Sequence, residues 1–407
     1  MGKIISSEKQ YGGELKDLKA LISIKGKLHI KIGENYRSVG DINERGGYLK
    51  NTKHLTEVKI VFDGEVTGCV DQEAVIEKME PHVNLKGFIL EGYEGTQIPR
   101  WGRAEDNWAI TADVTTFFPS LESLKIMYLK SLKGWWREDD SAAADDDHTL
   151  RRTLRFPRLC QLSIRHCPNL TSFPVCPSLE DLEFCGNNEM LQIVVNTAAG
   201  NSQDDVRLRK VVIDNVSSLN SIHSPCLISL NIKDNKEMES LSEVEEAFKS
   251  CASSLRSLTI WGCCNLRRIS GGLEYLTALE SLEISNNNQL IMCEEDEKED
   301  GMPWKSLHQN LRSLELHALE NMTSLPKGMQ HLTSLQRLQL FGCHNIEGLP
   351  EWISCLSSLQ SLSVEYCIAF KSLPESMQNL TSLQKLVIQH CCPGLEKEMQ
   401  INPRKTG

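Results

Sequence analysis

The sequence predicts an α/β solenoid, a curved horseshoe with a parallel sheet on its concave face and irregular or short helical segments on its convex face. The first observation is a pattern, L-x-x-L-x-(L/I)-x-x-(C/N)-x-x-(L/I), that recurs in about fourteen units along the 407 residues. The second is its period, because from Leu311 the first leucine returns every 24 residues, at Leu335, Leu359 and Leu383. Self-similarity at such a period is typical of stacked repeats.

Each unit is predicted to begin with a short strand. In LQRLQLFGCHNI, Leu338 and Leu340 alternate with other positions and are expected to face the core. Arg337, Gln339 and Phe341 then project to the opposite side of the sheet. Proline in the following GLPEWISCL favours an irregular or short helical return path over a ladder position. This combination is the leucine-rich-repeat signature.

One unit cannot bury its own apolar face, so neighbouring units must cover it. Seven apolar positions of the unit that starts at Leu335 are predicted to be buried in this way: Leu335, Leu338, Leu340, Ile346, Leu349, Ile353 and Leu356. The array is therefore expected to share one continuous core.

The spacing of the units divides the chain into three segments. Residues 1–54 are predicted to hold irregular N-terminal repeats, residues 55–395 the repeat array and residues 396–407 a tail. Two acidic stretches lengthen the interval between successive repeat units. They are interpreted as loop insertions near 137–152 and 291–303. Solvated loops are the simpler interpretation of these stretches, and loops that select or repel a partner are the alternative.

Composition excludes several classes of protein. The formal net charge is −11, and the two acidic stretches account for most of it. With no basic stripe, a nucleic-acid partner is not expected, and with no long apolar run neither is a membrane. The sequence carries no phosphate-binding loop, no dinucleotide fingerprint, no H-E-x-x-H and no G-x-S-x-G, so neither an enzyme nor a cofactor in this chain is predicted.

The neighbouring Cys343 and His344 invite a metal or catalytic interpretation, but the repeat offers a simpler one. Cys343 occupies the ninth position of its unit, where a small side chain can donate to a turn carbonyl. The same structural turn position is predicted for Cys167, Cys263, Asn287, Cys367 and Cys391. Without a CxxC pair or a fixed Cys–His order, no metal site is predicted.

The fifteen cysteines also bear on the compartment. The N-terminal stretch lacks the apolar core of a secretory signal, so the thiols are expected to be reduced. The cytoplasm is the predicted location, with the nucleus as the alternative.

The stretch LTSLQRLQLFGCHNIEGLPEWISCLSSLQSLSVEYC resembles the leucine-rich-repeat region of plant intracellular nucleotide-binding leucine-rich-repeat disease-resistance proteins of the coiled-coil class. Residues 13–32, 49–63 and 79–101 are similar to the segments that precede the regular repeats in that family, and the resemblance extends to about residue 395. Family members carry a signalling domain and a nucleotide-binding domain upstream. Because neither is found in this sequence, ATP or ADP is expected only for a missing upstream domain, and the chain is expected to be a truncated gene model, a fragment or a short stand-alone form.

The resemblance implies a protein-interaction module of an innate-immunity receptor. Its partner would be a pathogen effector, a guarded host protein or a nucleotide-binding domain that it holds inactive. The alternative is a leucine-rich-repeat substrate adaptor, or a general protein-binding scaffold unrelated to immunity. Aromatic residues and arginine are favoured anchors of interfaces. The candidate contacts on the concave face are Arg165, Trp261, His317, Arg337, Phe341, Glu365 and Gln389.

Overall fold

A computed structural model describes residues 3–6, 10–12, 15–33, 47–63, 72–99, 101, 118–135, 156–186, 208–221, 225–292 and 303–391. The acidic stretches at 137–152 and 293–300 lie outside the described residues, as does the predicted tail at 396–407. The chain divides into two compact units, unit 1 (Met1–Leu208) and unit 2 (Arg209–Gly407).

Unit 1 is built on a mainly parallel sheet. Within the described ranges its strands are β1 (Lys3–Ser6), β2 (Gln10–Gly12), β3 (Gly26–Gly33), β4 (Leu55–Asp63), β5 (Gly87–Glu91), β6 (Ser123–Met127), β7 (Gln161–Arg165) and β8 (Asp181–Cys185). Strands β3 to β8 pair in parallel and in chain order, whereas β1 pairs antiparallel with both β2 and β3. A 3-10 helix (Leu15–Ala20) and helix α1 (Gln72–Glu77) connect strands of this unit.

Unit 2 repeats the same plan with more regular spacing. Its strands are β9 (Lys210–Ile213), β10 (Ser229–Lys233), β11 (Ser257–Trp261), β12 (Ser281–Ser285), β13 (Ser313–His317), β14 (Arg337–Phe341), β15 (Ser361–Glu365) and β16 (Lys385–Gln389). They pair in parallel and in chain order. The return segments hold helices α2 (Val216–Ser221) and α3 (Glu245–Cys251) and 3-10 helices at Leu241–Val244, Leu273–Tyr275, Trp304–Leu307, Lys327–His331, Glu351–Cys355 and Glu375–Asn379.

The inward face of both sheets is made by the leucine and isoleucine positions of the repeat. Strand alternation sends Leu338 and Leu340 inward, and both are fully buried. All seven apolar positions predicted for this unit are buried, the most accessible being Leu349 at 7%. Leu338 also aligns with Leu314 and Leu362 in the neighbouring strands, so equivalent side chains stack along the sheet. The predicted α/β leucine-rich-repeat solenoid, with short helical return segments, is confirmed.

The residue that follows each strand from β5 to β16, except β9, adopts a left-handed backbone, a feature that the sequence did not reveal. This eighth position of the repeat is glycine in some units, as at Gly262 and Gly342. In others it is a residue with a side chain: Tyr128, His166, Asp234, Asn286, Ala318, Tyr366 and His390, with φ between 47° and 59°. The Gly342 amide still donates to the Glu365 carbonyl at 2.9 Å and so prolongs the ladder. The turn then directs the ninth residue into the core.

Candidate functional site

The ninth-position cysteines lie at the strand-end turns, where their thiols meet backbone carbonyls. The Cys343 sulfur lies 3.5 Å from the Leu316 carbonyl oxygen of the preceding unit and 3.7 Å from the Phe341 carbonyl oxygen of its own strand. The same two contacts recur at Cys167, Cys263, Cys367 and Cys391. A buried thiol therefore serves as a weak donor to backbone carbonyls at the strand-end turn.

Asn287 satisfies the same turn with stronger hydrogen bonds. Its Nδ2 donates to the carbonyls of Ile260 and Ser285 at 3.0 and 2.9 Å, and its Oδ1 accepts from the Cys263 amide at 2.8 Å. Asn235 was not predicted for this position, yet its Nδ2 donates to the Asp214 carbonyl at 2.7 Å. Counting nine residues from the first leucine of LISLNIKDNKEM would have identified it.

Burial favours the neutral thiol at Cys167 and Cys263. Burial raises the pKa of Cys167 and of Cys263 to about 11. A thiol is both a poor nucleophile and a poor metal ligand until it loses its proton. Across the described ranges, no group of three or more His, Cys, Asp or Glu side chains is placed to hold a metal ion.

The side of the unit 2 sheet that faces away from the core is called here the unit 2 outward face. It comprises the third, fifth and seventh repeat positions of β10 to β16, together with the eighth-position side chains beside them. Six predicted contacts lie on it: Trp261, His317, Arg337, Phe341, Glu365 and Gln389. Arg337, Phe341 and Gln389 are exposed, whereas His317 and Glu365 are half-buried.

Exposed aromatic rings are the main apolar feature of the unit 2 outward face. Trp261 and Phe341 are each 39% exposed. Phe341 continues into an aromatic row, since its ring centroid lies 5.9 Å from that of His317 and 5.1 Å from that of Tyr366. Tyr366 in turn stacks on His390 at 4.4 Å. Tyr366 was not among the predicted contacts, which were drawn mainly from the seventh repeat position.

Two carboxylates, called here the acidic pair, occupy the centre of this face. Glu283 on β12 and Glu315 on β13 are register partners on neighbouring strands. No Lys or Arg in the part of the chain that the structure describes forms an ion pair with either of them. Their ionisable neighbour is His317, whose Nδ1 lies 3.9 Å from Glu283 Oε1 and whose Nε2 lies 3.8 Å from Glu315 Oε2. Hydroxyl groups assist Glu283, which accepts from Ser285 Oγ at 2.9 Å.

The seventh predicted contact, Arg165, lies in unit 1 and has different surroundings. Its guanidinium forms an ion pair with Glu183 on the next strand. The hydrogen bond to Glu183 also raises the pKa of Arg165. The structure therefore does not bring Arg165 into the group formed by the other six, and its charge is matched within unit 1.

Ion pairs between neighbouring strands are the rule on the equivalent face of unit 1. Lys27 pairs with Glu57 at 3.0 Å, and Lys31 pairs with Asp63 at 2.6 Å. Lys59 of β4 pairs with Glu91 of β5 at 2.8 Å.

Neither unit contains, among its described residues, a helix that is long and apolar enough to cross a membrane.

Two family models match the chain. Residues 15–137 match the model described as R13L1/DRL21 LRRs. Residues 226–351 match the model described as plant disease resistance protein RPS2-like, leucine-rich repeats. The first match falls in unit 1 and the second in unit 2, so each unit resembles a leucine-rich-repeat segment of plant resistance proteins independently.

Two named relatives and one solved structure are similar to the chain. Disease resistance protein RGA4 from Solanum bulbocastanum is 26% identical over 232 residues, which cover 45% of this chain and 22% of that protein. A disease resistance protein from Arabidopsis thaliana is 29% identical over 99 residues, 22% of this chain and 7% of that protein. An internalin from Listeria monocytogenes shares 15% identity with a TM-score of 0.37, covering 82% of this chain and 87% of that one.

The matched stretches therefore span less than a quarter of either relative, and both matches carry the same description. Together with the two family models and the repeat geometry of both units, they show a leucine-rich-repeat protein. Its repeats are similar to the leucine-rich-repeat regions of plant disease-resistance proteins.

Proposed function

We propose that the chain is the protein-interaction module of an intracellular plant innate-immunity receptor and that the unit 2 outward face contacts the partner. The observation that carries the proposal is the exposure of Trp261, Phe341 and Tyr366 on an ordered sheet face. Contiguous exposed apolar surface in a soluble protein marks an interaction site, and Trp and Tyr are frequent anchors of interfaces. The unit 2 outward face is therefore a better candidate than the ion-paired face of unit 1.

The partner is a protein of one of three kinds: a pathogen effector, a guarded host protein, or the nucleotide-binding domain of the receptor itself. The first two correspond to recognition and the third to autoinhibition, and the family resemblance supports all three. Any bound ATP or ADP would belong to the nucleotide-binding domain, since these 407 residues contain no phosphate-binding loop. We propose a binding role without catalysis, exercised in the cytoplasm.

The test introduces Trp261→Ala together with Phe341→Ala into the receptor that carries this chain. Effector-triggered cell death and spontaneous cell death are then scored in leaf tissue at matched protein levels. Loss of triggered death is expected if the face recognises an effector or a guarded protein, and spontaneous death is expected if it restrains the nucleotide-binding domain. Tyr128→Ala is the matched control, because Tyr128 is 48% exposed but lies in unit 1.

Unchanged triggered death with no spontaneous death in the double variant would remove the unit 2 outward face from consideration. The same would hold if Tyr128→Ala had an equal effect, because the loss would then reflect exposed aromatic surface in general.

A further inference from the structure

We propose that the partner segment bound by the unit 2 outward face is basic. It is an extended stretch of protein that places an arginine or lysine on the acidic pair and an apolar side chain against Phe341. This proposal rests on the proposed function, because it specifies the chemistry of a partner at the same face.

The first argument is charge. Glu283 and Glu315 occupy the same position on paired neighbouring strands, whose backbones lie about 4.8 Å apart. Like charges placed directly opposite each other on a sheet are destabilising. Within the described residues, only His317 lies within ion-pair distance of the acidic pair, at 3.8 and 3.9 Å. A cation supplied by a partner would relieve this repulsion.

The second argument is unused hydrogen-bonding capacity. His317 does not use the acceptor capacity of the acidic pair, because its nitrogens lie 3.9 and 3.8 Å from the carboxylate oxygens, beyond hydrogen-bond distance. The two carboxylates are still 35% and 31% exposed. Each carboxylate offers about four acceptor sites. A guanidinium group, with five donors in a planar fork, matches two adjacent carboxylates.

The third argument is the aromatic flank. Trp261 lies on β11, next to the strand of Glu283, and Phe341 lies on β14, next to the strand of Glu315. The acidic pair therefore lies between two exposed rings. Guanidinium and ammonium groups are attracted to aromatic faces, and the guanidinium plane also stacks on them. Among cations, arginine fits these surroundings best.

The strand spacing also predicts a partner motif. Measured across the strands, the midpoint between β12 and β13 lies about 7 Å from β14, because neighbouring strands are about 4.8 Å apart. Phe341 lies two residues beyond Gln339, the register partner of Glu315, and the length of an arginine or lysine side chain covers this offset along the strand. An extended chain that crosses the strands covers roughly 6.6 Å in two residues, and residues i and i+2 point to the same side. The expected motif is therefore a basic residue, any residue, then an aromatic or large aliphatic residue.

A metal ion is a poorer occupant of this place. In the portion of the chain covered by the structure, the acidic pair and the neighbouring His317 imidazole are not arranged as a group that could hold a metal ion. An acidic or nucleic-acid partner would add negative charge to carboxylates that are already unbalanced.

The experiment selects dodecapeptides from a phage-displayed random library on the purified chain. Enriched peptides are synthesised, and their dissociation constants are measured by fluorescence anisotropy. The proteins compared are the unmodified chain, Glu283→Gln with Glu315→Gln, and the control Glu347→Gln with Glu375→Gln. The control changes the net charge equally but lies on return segments, where both side chains are exposed. Each peptide is also made with citrulline, a neutral isostere, in place of arginine.

We expect enrichment of the basic–x–apolar motif. The Glu283→Gln and Glu315→Gln variant should weaken binding about tenfold or more, as should citrulline, because each removes one member of a partly desolvated charge pair. The control variant should change binding less than about twofold, since it alters only distant screened charge. Circular dichroism melting at or above the unmodified midpoint would show that the glutamine variant is folded, since it removes a repulsion.

Peptides without a basic residue, or an unchanged dissociation constant in the Glu283→Gln and Glu315→Gln variant, would overturn the proposal. A selection that enriches no peptide would overturn it as well. Phe341→Ala separates this failure from failure of the proposed function. If Phe341→Ala abolishes peptide binding while the glutamine variant does not, the face is correct and the basic partner is wrong. If neither change matters, the unit 2 outward face itself is wrong.

Discussion

Units 1 and 2 have similar inward faces and dissimilar outward faces. In both, the fourth and sixth repeat positions are mostly buried aliphatic residues, as at Leu124 in unit 1 and Leu338 in unit 2. On the outward face, unit 1 pairs its lysines with carboxylates on the next strand. Unit 2 instead exposes aromatic rings around an acidic pair. Folding constrains only the inward positions, so the outward ones are free to differ in their capacity to bind.

A histidine on each outward face illustrates the same difference. His29 in unit 1 lies near Lys59 and Lys31, and burial followed by Lys59 lowers its pKa. His317 in unit 2 lies between two glutamates. The faces therefore differ in the sign of the charge around equivalent groups as well as in apolar exposure.

The largest expected loss of stability comes from shortening a buried leucine. Making this change in each unit tests whether the two inward faces contribute equally to stability. Leu124→Ala and Leu338→Ala should each lower the free energy of unfolding of their own unit by about 2–5 kcal/mol, because each opens a cavity in a packed core. Urea denaturation measures both, and Leu→Met at the same two positions should cost less than about 1.5 kcal/mol. A cost confined to one unit would show that the two cores are not equivalent.

Replacing the strand-end glycine by alanine should cost more stability at Gly92 in unit 1 than at Gly342 in unit 2. Gly92 and Gly342 both have left-handed φ values, of 70° and 65°. A Cβ at Gly92 would overlap the Phe62 carbonyl oxygen, whereas at Gly342 its nearest neighbour is the Ala318 amide nitrogen at 3.8 Å. Gly342→Ala should cost about 1–2 kcal/mol from backbone strain. Gly92→Ala should cost roughly 1–3 kcal/mol more through overpacking.

Thermal unfolding of these two alanine variants measures the difference. Equal losses of stability would mean that the unit 1 backbone relaxes around the new methyl group, and the contrast between the two turns would then disappear.

Neutralising one carboxylate on each outward face should change the free energy of unfolding in opposite directions. Glu91→Gln in unit 1 breaks the pair with Lys59, whose side chain is 32% exposed, and should cost at most about 1 kcal/mol. Glu315→Gln in unit 2 relieves a like-charge contact and should leave stability unchanged or raise it by roughly 0.2–1 kcal/mol. Urea midpoints at a pH near 8, where histidine is largely neutral, measure both. A marked loss in Glu315→Gln would show that the acidic pair already has a stabilising partner.

The smallest change in the free energy of unfolding is expected when the exposed ring of Trp261 is removed. Trp261→Thr should change the free energy of unfolding by less than about 0.5 kcal/mol, because the ring is not part of the core and threonine suits a strand. Trp304 in the same unit is 2% exposed. Trp304→Thr should therefore cost about 3–5 kcal/mol in the same assay. A large loss in Trp261→Thr would assign Trp261 to the core and weaken its proposed role in binding.

The fold was largely predictable because the buried apolar residues must recur at a regular spacing along the sequence. The inward leucines and the short helical returns follow from the repeat pattern, and the structure places each of them accordingly. The acidic pair was not predictable in the same way. Glu283 and Glu315 are 32 residues apart, not 24, and neither lies at the repeat position from which the seven contacts were mostly drawn. Tyr366 was missed because its left-handed backbone has no glycine to mark it.

The sequence by itself determined the repeat, the buried set and the turn residues, because each depends on spacing along one strand or one unit. Only the tertiary structure decided which outward side chains are neighbours. Charge balance is a property of side chains on adjacent strands. Strand pairing places Glu315 directly opposite Glu283, and Glu91 diagonally opposite Lys59. The contrast between an ion-paired face and one open to a partner therefore arises from the pairing of distant residues, which no single repeat contains.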